Sequence, residues 1–135
     1  MSDDERELIR GYQSAVQILV AALRNTYGQE DLLAARRDGA IPPRAAIGGV
    51  EFAFHGVGCR GTVAGIEVDF DFGPDGRTDG FDAWRLWDFA RQSPEKYPRF
   101  QRREDLEVAL HALAAAGEIR CTRSAPSPHL WYLKV

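Results

Sequence analysis

What the sequence lacks bounds it first. Excess positive charge is missing: 17 Lys and Arg stand against 20 Asp and Glu, a formal net charge of −3, so the chain as a whole does not attract phosphate backbones or anionic lipid, and nucleic acid starts as a disfavoured partner. No apolar run is long enough to span a bilayer, because the stretch after the first residues is broken by Arg24. Met1 to Glu7 is acidic where a secretory signal is basic, which predicts a cytoplasmic chain. Cysteine is scarce, and Cys59 and Cys121 lack the paired spacing of a zinc or redox site, in keeping with a reduced compartment. There is no internal repeat and no low-complexity tract.

What is present describes an ordinary globular protein. With 135 residues, 44% hydrophobic and 27% charged, the chain can bury a core without disulfides or a structural metal, and a single domain over residues 1–135 is expected. From Asp4 to Asn25, Leu8, Tyr12, Val16, Leu19 and Leu23 recur every three or four positions, the stripe of an amphipathic helix. A short helix is expected over Glu30 to Arg37, and Pro42 and Pro43 mark a connector. The period then changes to two. Val50, Phe52 and Phe54 alternate with Glu51, Ala53 and His55, while Ile66, Val68, Phe70 and Phe72 alternate with Glu67, Asp69 and Asp71. With Cys59 to Val63 between them, these segments read as an antiparallel meander.

Helix returns at Phe81 to Gln92, with Asp79 as a candidate cap, and again at Arg103 to Ala116, with Gly117 placed to end it. Ile119 to Thr122 and Leu130 to Val135 close the chain as two strands. The expected fold class is therefore α+β: N-terminal helices, an antiparallel meander packed against the tryptophan-rich helix of Trp84 and Trp87, a further helix and a C-terminal β-hairpin.

Three stretches are distinctive: His55-Gly-Val-Gly-Cys59, Val68-Asp-Phe-Asp-Phe-Gly73 and Gly80-Phe-Asp-Ala-Trp-Arg-Leu-Trp87. Together they resemble a bacterial domain family of unknown function with an H-G-x-G-C turn, a D-F-D-F-G strand and a G-F-D-A-W-R-L helix, a resemblance that covers most of the chain. What it implies about function is an association with toxin genes, where immunity proteins occur. It implies no particular chemistry.

The candidate functional residues follow from side-chain type and spacing. Glu51, Glu67, Asp69 and Asp71 project from one face of the meander, and neighbouring carboxylates repel unless a cation or a basic partner faces them. That face reads either as solvated surface or as a docking surface for something basic, such as a toxin domain. His55 and Cys59 could join Asp69, Asp71 or His129 around a zinc ion, or act as a nucleophile and base, against the plainer reading of a histidine at a glycine turn and a cysteine in the core. Asp71, Asp75, Gly76, Asp79 and Asp82 partly match a calcium loop, but Gly73 falls where a ligand is needed and the segment before it reads as strand.

Arg85 sits in an apolar helix and needs a carboxylate, either Asp82 or a sheet aspartate. The tryptophans read as core. Arg99, Arg102, Arg103, Arg120 and Arg123 give the C-terminal part a local positive bias, and a helix followed by two strands resembles the end of a winged helix; Glu104, Asp105 and Glu107 argue against that. The expectation is a non-catalytic protein-binding domain of the immunity type, with no cofactor, no metal and no membrane contact. A winged-helix regulator and a small metal-dependent enzyme centred on His55, Cys59 and Asp71 are the alternatives.

Overall fold

The computed structural model describes residues 4–28, 32–55, 58–71, 78–123 and 130–133. Its elements are α1 (Asp4–Tyr27), α2 (Leu32–Arg37), β1 (Arg44–Ile47), β2 (Val50–His55), β3 (Gly58–Val63), β4 (Ile66–Asp71), α3 (Ala83–Ala90), a single 3-10 turn (Pro98–Phe100), α4 (Arg103–Ala115), β5 (Ile119–Arg123) and β6 (Leu130–Leu133). This is the expected α+β class. The predicted start of α2 at Glu30 and the end of the fourth strand at Phe72 fall outside the described residues.

Two compact units contain these elements: Gln13–Asp79, and Met1–Tyr12 with Gly80–Val135. In the first, the sheet order is β1-β2-β3-β4, antiparallel throughout. The sequence reading assigns no element between the Pro42-Pro43 connector and Val50, where β1 lies. Gly48 and Gly49, both at positive φ (59° and 83°), close a two-residue hairpin that pairs Ile47 with Val50. Both central residues of such a turn need positive φ, which glycine adopts without penalty. The prolines upstream stop just short of the strand and leave its ladder intact.

Cross-strand partners share a face, so the register sorts every strand residue. One face holds Phe52, Phe54, Cys59, Gly61, Val68 and Phe70, with Phe52, Cys59, Val68 and Phe70 buried. Within this unit, α1 lies on that face. Leu19 comes so close to Gly61 that a Cβ built there would stand 3.0 Å from its Cδ2 and 3.4 Å from Phe52 Cδ1. Gly61 is thus the low point of the sheet into which the helix sets a leucine, with Val16, Val20 and Leu23 buried beside it in sequence.

In the second unit, α3 begins two residues later than expected. Asp82, not Asp79, caps it: its carboxylate accepts from the Arg85 backbone N–H at 2.8 Å and also pairs with the Arg85 guanidinium. An extended Asp82 (φ −134°) offers the oxygen where the helix has an unpaired donor. Trp84 is not core as expected, and Trp87 is half-buried. Trp84 is 54% exposed, whereas Leu86, Phe89 and Ala90 are buried. Phe89 stacks edge-on against Tyr12 (centroids 5.9 Å apart) and beside Tyr97. Trp87 donates its indole N–H to the Gln101 carbonyl at 2.8 Å. α4 buries Leu106, Leu110 and Leu113 and ends as read, at Gly117 with φ 78°.

Candidate functional site

The opposite face of the sheet gathers the polar residues that alternation predicts. By register it holds Glu51, His55, Glu67, Asp69 and Asp71, together with Arg44, Arg60 and Thr62. Charges alternate in sign across it. Arg60 stands opposite Asp69 and reaches Glu67 at 3.8 Å, and Arg44 lies in the same row as Arg60 with the small Ala53 between them. The expected acidic surface is thus a mixed one. Alternation along β2 and β4 gathers the carboxylates, whereas Arg44 and Arg60 join them only through the cross-strand register.

Exposure divides the four carboxylates. Glu51 and Glu67 are open to solvent, Asp69 is half-buried, and Asp71 is 3% exposed, so Asp71 presents no carboxylate to a partner. Around Arg44, Glu51, Arg60, Thr62 and Glu67 the strands form a shallow concavity of about 340 Å³.

His55 and Asp69 form a pair of their own. Nε2 of His55 lies 3.1 Å from Asp69 Oδ1, although β3 runs between their strands. Gly58 makes this reach possible: a Cβ there would stand 2.8 Å from His55 Cε1 and 3.1 Å from the Phe70 carbonyl oxygen. The H-G-x-G-C stretch therefore has a structural meaning, in which its second glycine clears the path of its histidine.

Cys59 points the other way. It pairs with Phe54 and Phe70 on the apolar face, is fully buried, and its thiol is pushed up to about 12, first by burial and second by the Asp69 carboxylate. A thiol so held is not a nucleophile near neutral pH. His55 and Cys59 face opposite sides of one sheet, so they do not converge as a dyad or on one ion. Among the described residues, no three His, Cys, Asp or Glu side chains are grouped to hold a metal. Asp75, Gly76 and His129, invoked for calcium or zinc, lie outside the described residues.

Arg85 pairs with Asp82, the nearer of the two carboxylate sources expected for it. The arginines of the winged-helix alternative have local partners too. Arg99 meets Asp4 at 3.1 Å and Glu5 at 3.3 Å, Arg102 meets Glu104 at 3.6 Å, and Arg103 meets Glu107 at 3.6 Å while lying 5.0 Å over the Trp84 ring. Arg120 is exposed, and the side chain of Arg123 lies outside those described. No described helix is long and apolar enough to cross a membrane.

Helices and an antiparallel sheet give the chain an α+β fold, and one face of the four-stranded sheet carries charges of both signs. The chain belongs to the family described as Domain of unknown function (DUF6896), which it matches over residues 6–133. No curated protein and no solved structure matches it.

Proposed function

We propose that this chain is a non-catalytic protein-binding domain that docks its partner on the polar face of the four-stranded sheet. The observation behind this reading is the sign-alternating set of exposed Arg44, Glu51 and Glu67 with half-buried Arg60 around one shallow concavity. Such a surface selects a partner by matching charges in register, which fixes orientation more than it adds affinity. The complement is a surface of alternating charge, because a uniformly basic one would meet Arg44 and Arg60. Support for the absence of catalysis comes from the divergence of His55 and Cys59 across the sheet and the raised thiol of Cys59. A toxin bound by a bacterial immunity protein in the cytoplasm is the particular form of this reading, and the motif resemblance is what points to it.

The test is affinity capture from the source organism with wild type and Glu67→Lys in parallel, at low and moderate ionic strength. Reversal at Glu67 removes the ion pair with Arg60 and puts a second positive charge beside it, so the partner is expected to bind the variant more weakly. A partner retained equally by both at every salt concentration removes this face from the mechanism.

A further inference from the structure

Among the described residues no strand pairs with the outer side of β1, and its hydrogen-bond phase can be read from one contact. Phe54 N–H donates to the Pro43 carbonyl at 3.0 Å, and the register places residue 43 opposite residue 54. Hydrogen-bonded pairs alternate along an antiparallel ladder, so Ala45 and Ile47 also turn their backbone groups toward β2. Arg44 and Ala46 then turn theirs outward, two donors and two acceptors on a strand where both residues are exposed. At the far edge β4 differs, with Asp71 buried and Asp69 half-buried.

We propose that β1 is a strand-addition site that accepts an extended, antiparallel peptide segment bearing a lysine or arginine two positions before an aspartate or glutamate. This rests on the protein-docking reading above and deepens it. An added strand continues the rows of the sheet, and its side chains on the polar face alternate with those on the apolar face. Opposite Arg44 an acidic residue meets the guanidinium directly. Opposite Ala46 a long basic residue reaches over the small alanine to Glu51, the cross-strand partner of Ala46. His55 already makes a reach of this kind across Gly58 to Asp69. The positions between face the apolar side, beside Ala45 and Ile47, and suit β-branched residues. With four outward backbone groups, main-chain bonding alone is a weak grip, and the charge pair supplies the selection. A short edge strand flanked by Pro42 and Pro43 also keeps indiscriminate pairing low.

The probe is a blocked seven-residue peptide of alternating valines and polar residues, with lysine two positions before glutamate, added at millimolar concentration to the full chain. Amide hydrogen exchange is read residue by residue. The peptide is expected to slow exchange of the Arg44 and Ala46 N–H groups several-fold, and the same peptide with lysine and glutamate exchanged is expected to do so less. Ala46→Pro removes an outward donor and no bond to β2, so it should abolish the effect. Arg44→Glu, which keeps every backbone group, should transfer the preference to a peptide with two lysines. Unchanged exchange at Arg44 and Ala46, or equal protection in Ala46→Pro, overturns strand addition. The docking reading is judged separately: a natural partner lost from Glu67→Lys but kept by Ala46→Pro leaves the face in place and rejects the edge.

Discussion

Gly61 and Leu19 offer a quantitative check on how the first unit is held together. Replacing Gly61 by alanine puts a methyl carbon 3.0 and 3.2 Å from the two Leu19 methyls and 3.4 Å from the Phe52 ring. Leu19 is 1% exposed and Phe52 1%, so neither has room to retreat freely. Overpacking of this size costs about 1–3 kcal/mol. Against it, alanine in a strand interior gains roughly 0.5–1 kcal/mol over glycine, leaving a net loss of order 1 kcal/mol. Leu19→Ala alone opens a cavity and costs about 2–5 kcal/mol. In the double variant the new methyl has lost its obstruction and occupies part of the space that Leu19 vacates. The double variant should therefore be more stable than the sum of the singles predicts, by at least about 1 kcal/mol. Urea unfolding of the four proteins, with unchanged m values, measures this coupling. Additivity within about 0.5 kcal/mol would mean that Leu19 does not rest on Gly61 and that the helix-on-sheet account is wrong.

Three further outcomes are expected. Cys59, raised to about 12 in the folded chain, favours folding fully below the ordinary thiol value and loses that contribution as pH rises toward 12, by up to about 1.4 kcal/mol per pH unit; a stability curve flat from pH 9 upward would contradict it, as would rapid alkylation of Cys59 in the native state. Ala64 holds φ 52° in the β3–β4 turn, so Ala64→Gly should raise stability by about 1 kcal/mol in thermal unfolding, and a loss would show that the turn is not left-handed there. Gly58→Ala should drive the His55 ring off Asp69, with the loss of the half-exposed pair worth about 1 kcal/mol at most; a crystal structure of the variant with the ring unmoved would refute the role given to Gly58.

How much of this was legible in the sequence depends on which interactions decide each feature. The α1 stripe and the alternation in β2 and β4 are local patterns written in side-chain polarity, and the structure follows them. β1 was hidden because Arg44 to Ile47 is short, has little β-branched character and follows two prolines; its one strong signal was the Gly48-Gly49 pair. The cap of α3 moved from Asp79 to Asp82 because a cap is fixed by backbone angles that residue type does not specify. Trp84 reads as core because it stands with Leu86, Trp87 and Phe89 in one apolar helix, although α3 can bury Leu86 and Phe89 while Arg103 lies over the indole. At the candidate site, strand alternation gathered the carboxylates, but the mixing of charges depends on cross-strand register. The same register separates His55 from Cys59, which lie four residues apart in sequence yet on opposite faces of the sheet.

Docking of a partner on the polar sheet face leaves a mark on its carboxylates. It is tested most directly by carboxyl footprinting of the captured complex, in which a water-soluble carbodiimide labels exposed carboxylates in the free and bound protein. Labelling of Glu51 and Glu67 is expected to fall on binding while Glu104 and Glu107 of α4 label as before. Glu51 and Glu67 labelled equally in both states, with protection appearing instead at Glu104 and Glu107 of α4, would contradict it.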